Sequence, residues 1–370
     1  MNLCGIIAEY NPLHNGHIYH MQQARELSGC DVLAAVMSGN YVQRGEPAVI
    51  DKWKRAEAAV RNGADIVFEL PYIYSVQGAA GFAKGGVNIL KLAGADSICF
   101  GSECANLENL QDIADTPVNP DHLHAAMDTG MSYPKAYSLL TSRMLPNDIL
   151  AVAYLKEIRD TAIRPLLVAR TKQYHSEELS ETASAAAIRK ALQDERSVAS
   201  ATPMADQLSE EDTVWFQQYY PYLRTFLLTT PKERLREFFL FSEGIETLLC
   251  EKAAEYDNAE DFISSCTSYR YTASRIRRCC IHALNQVTKE EVRRLPAQDW
   301  IRVLAFNDTG RTWLKEMKEA PVRCLTRFAE VPRPWRDLEY RTSLMYTSIM
   351  KEEKRKDLLL QEISHAHYIR

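Results

Sequence analysis

Over the first half of the chain, short apolar runs alternate with longer stretches of helical periodicity, the pattern of βα units on a parallel sheet. Strands are predicted over Leu3–Ala8, Asp31–Met37, Asp65–Leu70, Ser97–Phe100 and Pro165–Ala169. None alternates with a clean period of two, as expected of strands covered on both faces. Helices fit between them at His17–Leu27, Asp51–Asn62, Val76–Ala93 and Asn147–Ile158, with Asp51 capping the second and Gly63 stopping it. Ala105 to about Ser132 reads as an excursion from the sheet, and Ser184–Leu192 as a helix with Ser184 placed to cap it. Beyond about Arg196 amphipathic patterns take over, at Pro231–Leu240, Ile245–Glu255, Tyr271–Asn285, Ala297–Phe306 and Leu344–Gln361. The expected fold class is therefore α/β: a doubly wound, Rossmann-like parallel sheet over residues 1–195, then a helical domain over 196–370.

Composition narrows this picture without changing it. With 46% hydrophobic and 25% charged residues the chain is neither disordered nor membrane-like. No stretch approaches the roughly 18 apolar residues of a membrane span, and the N-terminus lacks a basic then apolar leader, so no membrane partner and a cytoplasmic location are expected. Nine cysteines without a Cys-x-x-Cys pair fit reduced thiols, and the adjacent Cys279 and Cys280 fit core or interface positions. A net charge of −5 means that any nucleic-acid surface must be local. Arg270–Arg302 is the one candidate, with eight basic residues against three acidic ones, although such a run is also what a solvated helix face looks like.

The segment that carries chemistry is Glu9-Tyr10-Asn11-Pro12-Leu13-His14-Asn15-Gly16-His17, between the first strand and a helix expected to open on or just after His17. Ligands of open α/β sheets sit at the carboxyl ends of strands, where a helix N-terminus offers unpaired N–H groups to phosphate. Two imidazoles at His14 and His17 can both address one phosphate, as donors to the charge that builds when the α-phosphorus of ATP is attacked. The plain reading of the same residues is helix capping.

His-x-Gly-His resembles the signature of a nucleotidyltransferase superfamily, and the likeness runs further. Ile7 to His17 is followed by Val36-Met37-Ser38-Gly39-Asn40-Tyr41-Val42-Gln43-Arg44-Gly45-Glu46-Pro47-Ala48, then Asp51-Lys52-Trp53, Arg55-Ala56-Glu57, Asn62-Gly63-Ala64-Asp65, Glu69-Leu70-Pro71 and Phe100-Gly101-Ser102-Glu103. This series is similar to the bacterial tRNA(Met) cytidine acetate ligase family, densely over Met1 to about Leu192 and again at Ser274-Arg275-Ile276-Arg277-Arg278 and Ile301-Arg302-Val303-Leu304. The resemblance implies a ligase that activates acetate with ATP as acetyl-adenylate and acetylates N4 of the wobble cytidine of elongator tRNA(Met). It implies an ATP site of Ile7, Ala8, Glu9, Tyr10, Asn11, Pro12, Leu13, His14, Asn15, Gly16, His17, Ile18, Tyr19, His20, Gly101, Asn147, Arg170 and Thr171, with His14 and His17 catalytic. Mg²⁺ is expected with ATP, its ligands unassigned, and a homo-oligomer is compatible with the helical half. Ser184-Ala185-Ala186-Ala187-Ile188-Arg189 departs from the superfamily's phosphate turn, with Ala186 where a hydroxyl is common.

Further residues stay open on sequence alone. Gln43 and Arg44 either contact phosphate or tRNA or close their own loop; Glu9 and Glu69 either orient a histidine, hold Mg²⁺ or pair with an arginine; Trp53 reads as core before ligand. His122, His124, His365 and His367 have His-x-His spacing but no neighbouring ligands, and are expected at the surface. Arg275, Arg277 and Arg278 form the stripe expected to contact tRNA phosphates. Two other readings survive: adenylylation of a small phosphate-bearing metabolite, and an adaptor that binds ATP without turnover.

Overall fold

The structure, a computed structural model, describes residues 1–132, 136, 137, 139, 144–170 and 183–370. Among the described residues the strands are β1 Leu3–Ala8, β2 Val32–Ser38, β3 Tyr41–Val42, β4 Glu46–Pro47, β5 Ile66–Leu70, β6 Ser97–Ser102, β7 Arg164–Ala169, β8 Trp300–Phe306, β9 Arg323–Leu325 and β10 His367–Tyr368. The main sheet runs β10-β8-β5-β2-β1-β6-β7, with β9 also on β8; β3 and β4 form a separate hairpin. β1 lies at the centre, parallel to β2 and β6, so its carboxyl end opens into the crevice where the strand order reverses.

Helices cover both faces. On one face α1 (Asn15–Ser28) and α2 (Lys52–Arg61) bury Met21, Ala24, Trp53 and Ala56 against Cys4, Ile6, Leu33 and Ala35. On the other, α3 (Ala79–Leu92) and α4 (Pro146–Ile158) bury Phe82, Val87, Leu90, Tyr154 and Leu155 against Leu3, Val36 and Phe68. Asp51 caps α2 as expected, accepting from Trp53 N and Lys54 N at 3.0 Å each. The expected excursion after β6 carries the helices Leu107–Asp115 and Pro120–Asp128.

Four expectations need correction. Ala297–Phe306 is not helical: Trp300–Phe306 is a strand, antiparallel to β5, in an otherwise mostly parallel sheet. Six of its seven residues are buried, as a strand inside a sheet requires, and a short apolar run of this kind has no periodicity of its own to separate strand from helix. The C-terminal half is therefore not helical throughout, since β8, β9 and β10 return to the sheet. The single helix expected over Leu344–Gln361 is two, Arg333–Thr347 and Glu352–Ile363. The helix expected over Pro231–Leu240 is only the turn Lys232–Leu235, because Phe238 then bridges to Thr288.

What holds the C-terminal elements on the sheet is a buried charge network. Lys52 Nζ lies 2.5 Å from Glu69 and 2.8 Å from Glu362, and Arg302 Nη1 lies 2.8 Å from Glu69 and 2.6 Å from Glu362. Glu69 is thus a structural partner of Lys52 and Arg302. No helix of the described residues is long and apolar enough to cross a membrane. Glu362→Ala strands two buried cations with one carboxylate, and should destabilise the fold by about 3–5 kcal/mol in urea unfolding. A loss well under about 1 kcal/mol, the scale of an exposed pair, would show that the network does not hold the C-terminus.

Candidate active site

α1 opens two residues earlier than expected, with His14 as its N-cap. The first N–H groups of a helix need acceptors from outside it, and here imidazoles supply them. Gly16 N–H donates to His14 Nδ1 at 3.1 Å, and His14 N–H donates to His17 Nδ1 at 3.2 Å. The two rings lie 3.7 Å apart, tilted by 31°, and Tyr10 meets His17 edge-on at 4.9 Å. Capping and chemistry are therefore not alternatives. Because each Nδ1 accepts a backbone proton, a neutral ring must carry its own hydrogen on Nε2, so both side chains become donors on the side away from the backbone.

Neutrality follows from the surroundings. Burial pushes the His14 imidazole down to about 3, helped by the positive charges of Arg170 and Arg189. His17 is held well below its usual value by burial and by His14, and His20 falls to about 4 through burial and Arg170. Arg170 thus stands near all three rings, a fixed positive charge for an anion brought among them.

The supporting residues arrive from the ends of β6 and β7 and from the start of α4. Arg170, just after β7, donates from Nη1 to Asn147 Oδ1 and from its backbone to Ser102 O at 2.9 Å. Asn147, in the first turn of α4, donates from Nδ2 to Glu103, whose other oxygen accepts Asn147 N at 3.1 Å. Gly101 lies beneath Arg170, where a Cβ would approach its Cγ and Cδ to 3.1 Å. The structure so brings together His14, His17, His20, Gly101, Asn147 and Arg170. Ile7 and Ala8 end β1; Leu13 and Ile18 pack into the core, and Tyr19 is 52% exposed. Asn15 bonds Ser200 O at 2.8 Å and Asn11 accepts Val49 N at 2.7 Å. Asn11 and Pro12 are joined by a cis peptide bond. Gly16 serves through its N–H, and Thr171 lies outside the described residues.

Several residues shape this loop; of them Arg189, with Ser184, is one that the sequence offers as a phosphate contact, whereas Arg55, Thr202 and Asp148 have no role assigned from sequence. Arg55, fully buried, donates to Glu9 O at 2.7 Å, Ser38 O at 3.0 Å, Ile50 O at 3.0 Å and Gly39 O, fastening the ends of β1 and β2 together. Thr202 Oγ1 holds Leu13 O at 2.6 Å and Arg189 Nη1 holds Asn11 O at 2.7 Å. Asp148 accepts from Ser102 Oγ at 2.5 Å and from Glu103 N and Cys104 N at 2.9 and 3.2 Å. For Asp148 the only hint was position, directly after Asn147 at a helix start. Ser184 caps its helix through Ala187 N at 3.1 Å. Among the described residues no three His, Cys, Asp or Glu side chains are arranged to hold a metal ion.

The arginines of the expected stripe are each engaged within the chain. Arg278 turns inward: its half-buried side chain donates from Nη1 to Gln43 O at 3.1 Å, where the helix Ala273–Leu284 docks on the β3–β4 hairpin. Gly45 permits that approach at φ 79°, where a Cβ would meet Arg278 N at 2.3 Å. Arg275 pairs with Glu243 at 3.5 Å, and Arg277 pairs with Glu46 at 3.2 Å while a third of its side chain stays exposed. Arg302 belongs to the buried network, and Arg293 and Arg294 pair with Glu290 at 3.2 and 2.7 Å. Trp53 is core, and His122 and His365 are exposed.

A family model described as HIGH Nucleotidyl Transferase matches residues 1–361. The chain is 34% identical over 395 residues to the tRNA(Met) cytidine acetate ligase of Geobacillus sp. (strain WCH70), covering 98% of each. It is 32% identical over 402 residues to that of Bacillus subtilis (strain 168), covering 99% of this chain and 97% of the relative. A solved structure of Thermotoga maritima TmcAL bound with alpha-thio ATP matches over 100% of both chains, with a TM-score of 0.89 at 30% identity.

Nitrogen NMR tests the tautomers. The rings of His14 and His17 should give neutral, Nε2-protonated signals down to about pH 5; an Nδ1-protonated pattern, or titration near the ordinary value, would refute the assignment. Unfolded imidazoles titrate near 6.5 while these stay neutral far below it, so the unfolded state takes up more protons. Their contribution to stability should decline as pH falls from about 6.5 towards about 3.

Proposed function

The chain belongs to the tRNA(Met) cytidine acetate ligase family, and from that premise we propose that it activates acetate with ATP and transfers the acetyl group to N4 of the wobble cytidine of elongator tRNA(Met). The observation that carries the reading is the pair of neutral, Nε2–H-presenting imidazoles at the start of α1, with Arg170 beside them.

In the first half-reaction an acetate oxygen attacks the α-phosphorus of ATP, a P–O bond forms, and pyrophosphate leaves. Negative charge grows on the non-bridging oxygens and the departing group. His14, His17 and the N-terminus of α1 act as donors preset towards that charge, and Arg170 supplies a full positive charge. Expected Mg²⁺ finds no dedicated protein cage among the described residues, and we assign it no step. In the second half-reaction the acetyl carbon is attacked by cytosine N4. Free acetate could not react this way, because its leaving group would be oxide; the mixed anhydride releases AMP instead. Holding the unpaired anticodon base against the adenylate contributes up to roughly 7–11 kcal/mol through proximity.

For the tRNA contact we keep Arg277 of the expected stripe and add Arg44. Arg44 is exposed at the tip of the β3–β4 hairpin, and it and Arg277 both lie near Arg189. Arg44 and Arg277 are the phosphate contacts we favour, at the rim of the loop, in the compartment where tRNA is found, the cytoplasm.

The direct test is mass spectrometry of nucleosides after unmodified elongator tRNA(Met) is incubated with the protein, ATP and labelled acetate. Labelled N4-acetylcytidine at the wobble position is expected, and its absence from a preparation shown to bind ATP would remove the reading. His17→Ala should cut acetate-dependent ATP–pyrophosphate exchange by about 10²–10³ while leaving the protein folded; normal exchange would sink the role given to His17. Arg44→Ala should weaken tRNA binding and flatten its salt dependence by about one phosphate contact. An unchanged slope would take Arg44 out of the interface.

A further inference from the structure

Acetylation of N4 must release a proton. The nitrogen lone pair forms the N–C bond, the carbonyl pair moves onto oxygen and returns, and the C–O bond to phosphate breaks with its electrons leaving on AMP. One N4 hydrogen must then go to a base. His14 and His17 do not supply it, since their Nδ1 atoms already accept backbone N–H groups and their Nε2 atoms carry hydrogen.

The carboxylates around the loop narrow the choice. Glu46 is paired with Arg277 at 3.2 Å and Arg189 at 4.0 Å. Glu103 is tied to Asn147 and Asp148 N, and Asp148 to Ser102 and two backbone N–H groups. Asp51 is a buried helix cap, and Glu69 lies inside the Lys52–Arg302 network. Glu9 is held by fewer bonds than any of these. It stands at the carboxyl end of the central strand, immediately before the loop. Oε1 accepts Gln43 N–H at 2.8 Å, and among the described residues its carboxylate has no ion-pair partner within 4.0 Å.

We propose that Glu9 is the general base of the acetyl-transfer step, taking the proton from cytosine N4 as the N–C bond forms and later losing it to water. The inference rests on the function proposed above. The surroundings of Glu9 suit a proton acceptor. Burial pushes its carboxyl up from the usual range, and Glu46 adds to this. Arg44, Arg189 and the Gln43 N–H pull the other way, each short of an ion pair. From the remaining sides it faces the Tyr154 phenol on α4 and Arg55 on α2. A carboxylate locked to an arginine would be too weak a base, whereas a raised one holds a proton more readily.

Glu9→Gln tests this with little structural change, because the amide oxygen can still accept Gln43 N–H. With ATP, acetate and tRNA present, ATP–pyrophosphate exchange by the variant, read beside transfer, should fall by far less than transfer does, and circular dichroism reports that the variant is folded. Single-turnover transfer to tRNA should fall by about 10²–10⁴, and Glu9→Asp should recover part of it. In the wild type, transfer should rise with pH through the raised Glu9 titration and then level off, a limb absent from Glu9→Gln. Undiminished transfer by Glu9→Gln, or loss of exchange in parallel with transfer, would overturn the assignment. A wild-type protein that forms no adenylate would overturn the parent reading as well, so the two failures are told apart by the wild-type exchange alone.

Discussion

The reciprocal cap of α1 by His14 and His17 is the constraint on which the site depends. Helix starts are usually capped by Ser, Thr, Asp or Asn. An aspartate there would put negative charge where we place the phosphate. A serine would satisfy the backbone but offer a rotating hydroxyl. Imidazole does something neither can: one nitrogen accepts the orphan N–H, and the other is thereby fixed as a donor, with no net charge. The bonds at 3.1 and 3.2 Å thus set fold and chemistry together. Burial keeps the rings neutral, which preserves the acceptor nitrogens that the cap requires.

That cap is only as well placed as the loop leading into it. Tyr10 has φ 47°, in the left-handed region that a bulky side chain rarely adopts. Such a backbone persists where its surroundings over-determine it, and here they do. Arg55 grips the carbonyls at the ends of β1 and β2, Arg189 and Thr202 hold Asn11 and Leu13, and Asn15 is bound to the segment around Ala201. Behind α2, Lys52 and Arg302 balance Glu69 and Glu362 charge for charge. The neighbouring Glu339 has no cation left to match it, and burial pushes it up to about 8. Buried pairs of this kind specify an arrangement more than they stabilise it. This one ties the last long helix to the strand beside the site.

Much of this was legible in the chain. The five apolar runs marked five strands of the main sheet, Asp51 announced α2, and the histidine pair stands, as read, between the first strand and its helix. What was not legible depends on partners far away in sequence. Trp300–Phe306 reads as helix or strand with equal ease, and only its pairing with β5 decides. Arg278 sits among exposed-looking arginines and is half-buried because Gly45 lets its helix approach from a distant part of the chain. Nothing local in Lys52, Glu69, Arg302 and Glu362 announces that four charges will meet in the interior. The position of Glu9 was visible; its lack of an ion pair was not.

On the function proposed above, the two half-reactions make unequal demands on one loop. Both create charge on the same α-phosphate, first as pyrophosphate leaves it and then as AMP itself departs, so one set of donors can serve twice. Acetate reacts as an anion and gives up no proton, and a base near the phosphate would then only compete with the nucleotide for Arg170. Cytosine N4 must lose a proton, and only then is an acceptor needed. An acceptor kept out of ion pairs, at the strand end rather than on α1, can wait through the first step without neutralising the cations that hold the nucleotide. Glu9, bonded to the Gln43 N–H at 2.8 Å while Arg170 turns to Asn147, meets that requirement.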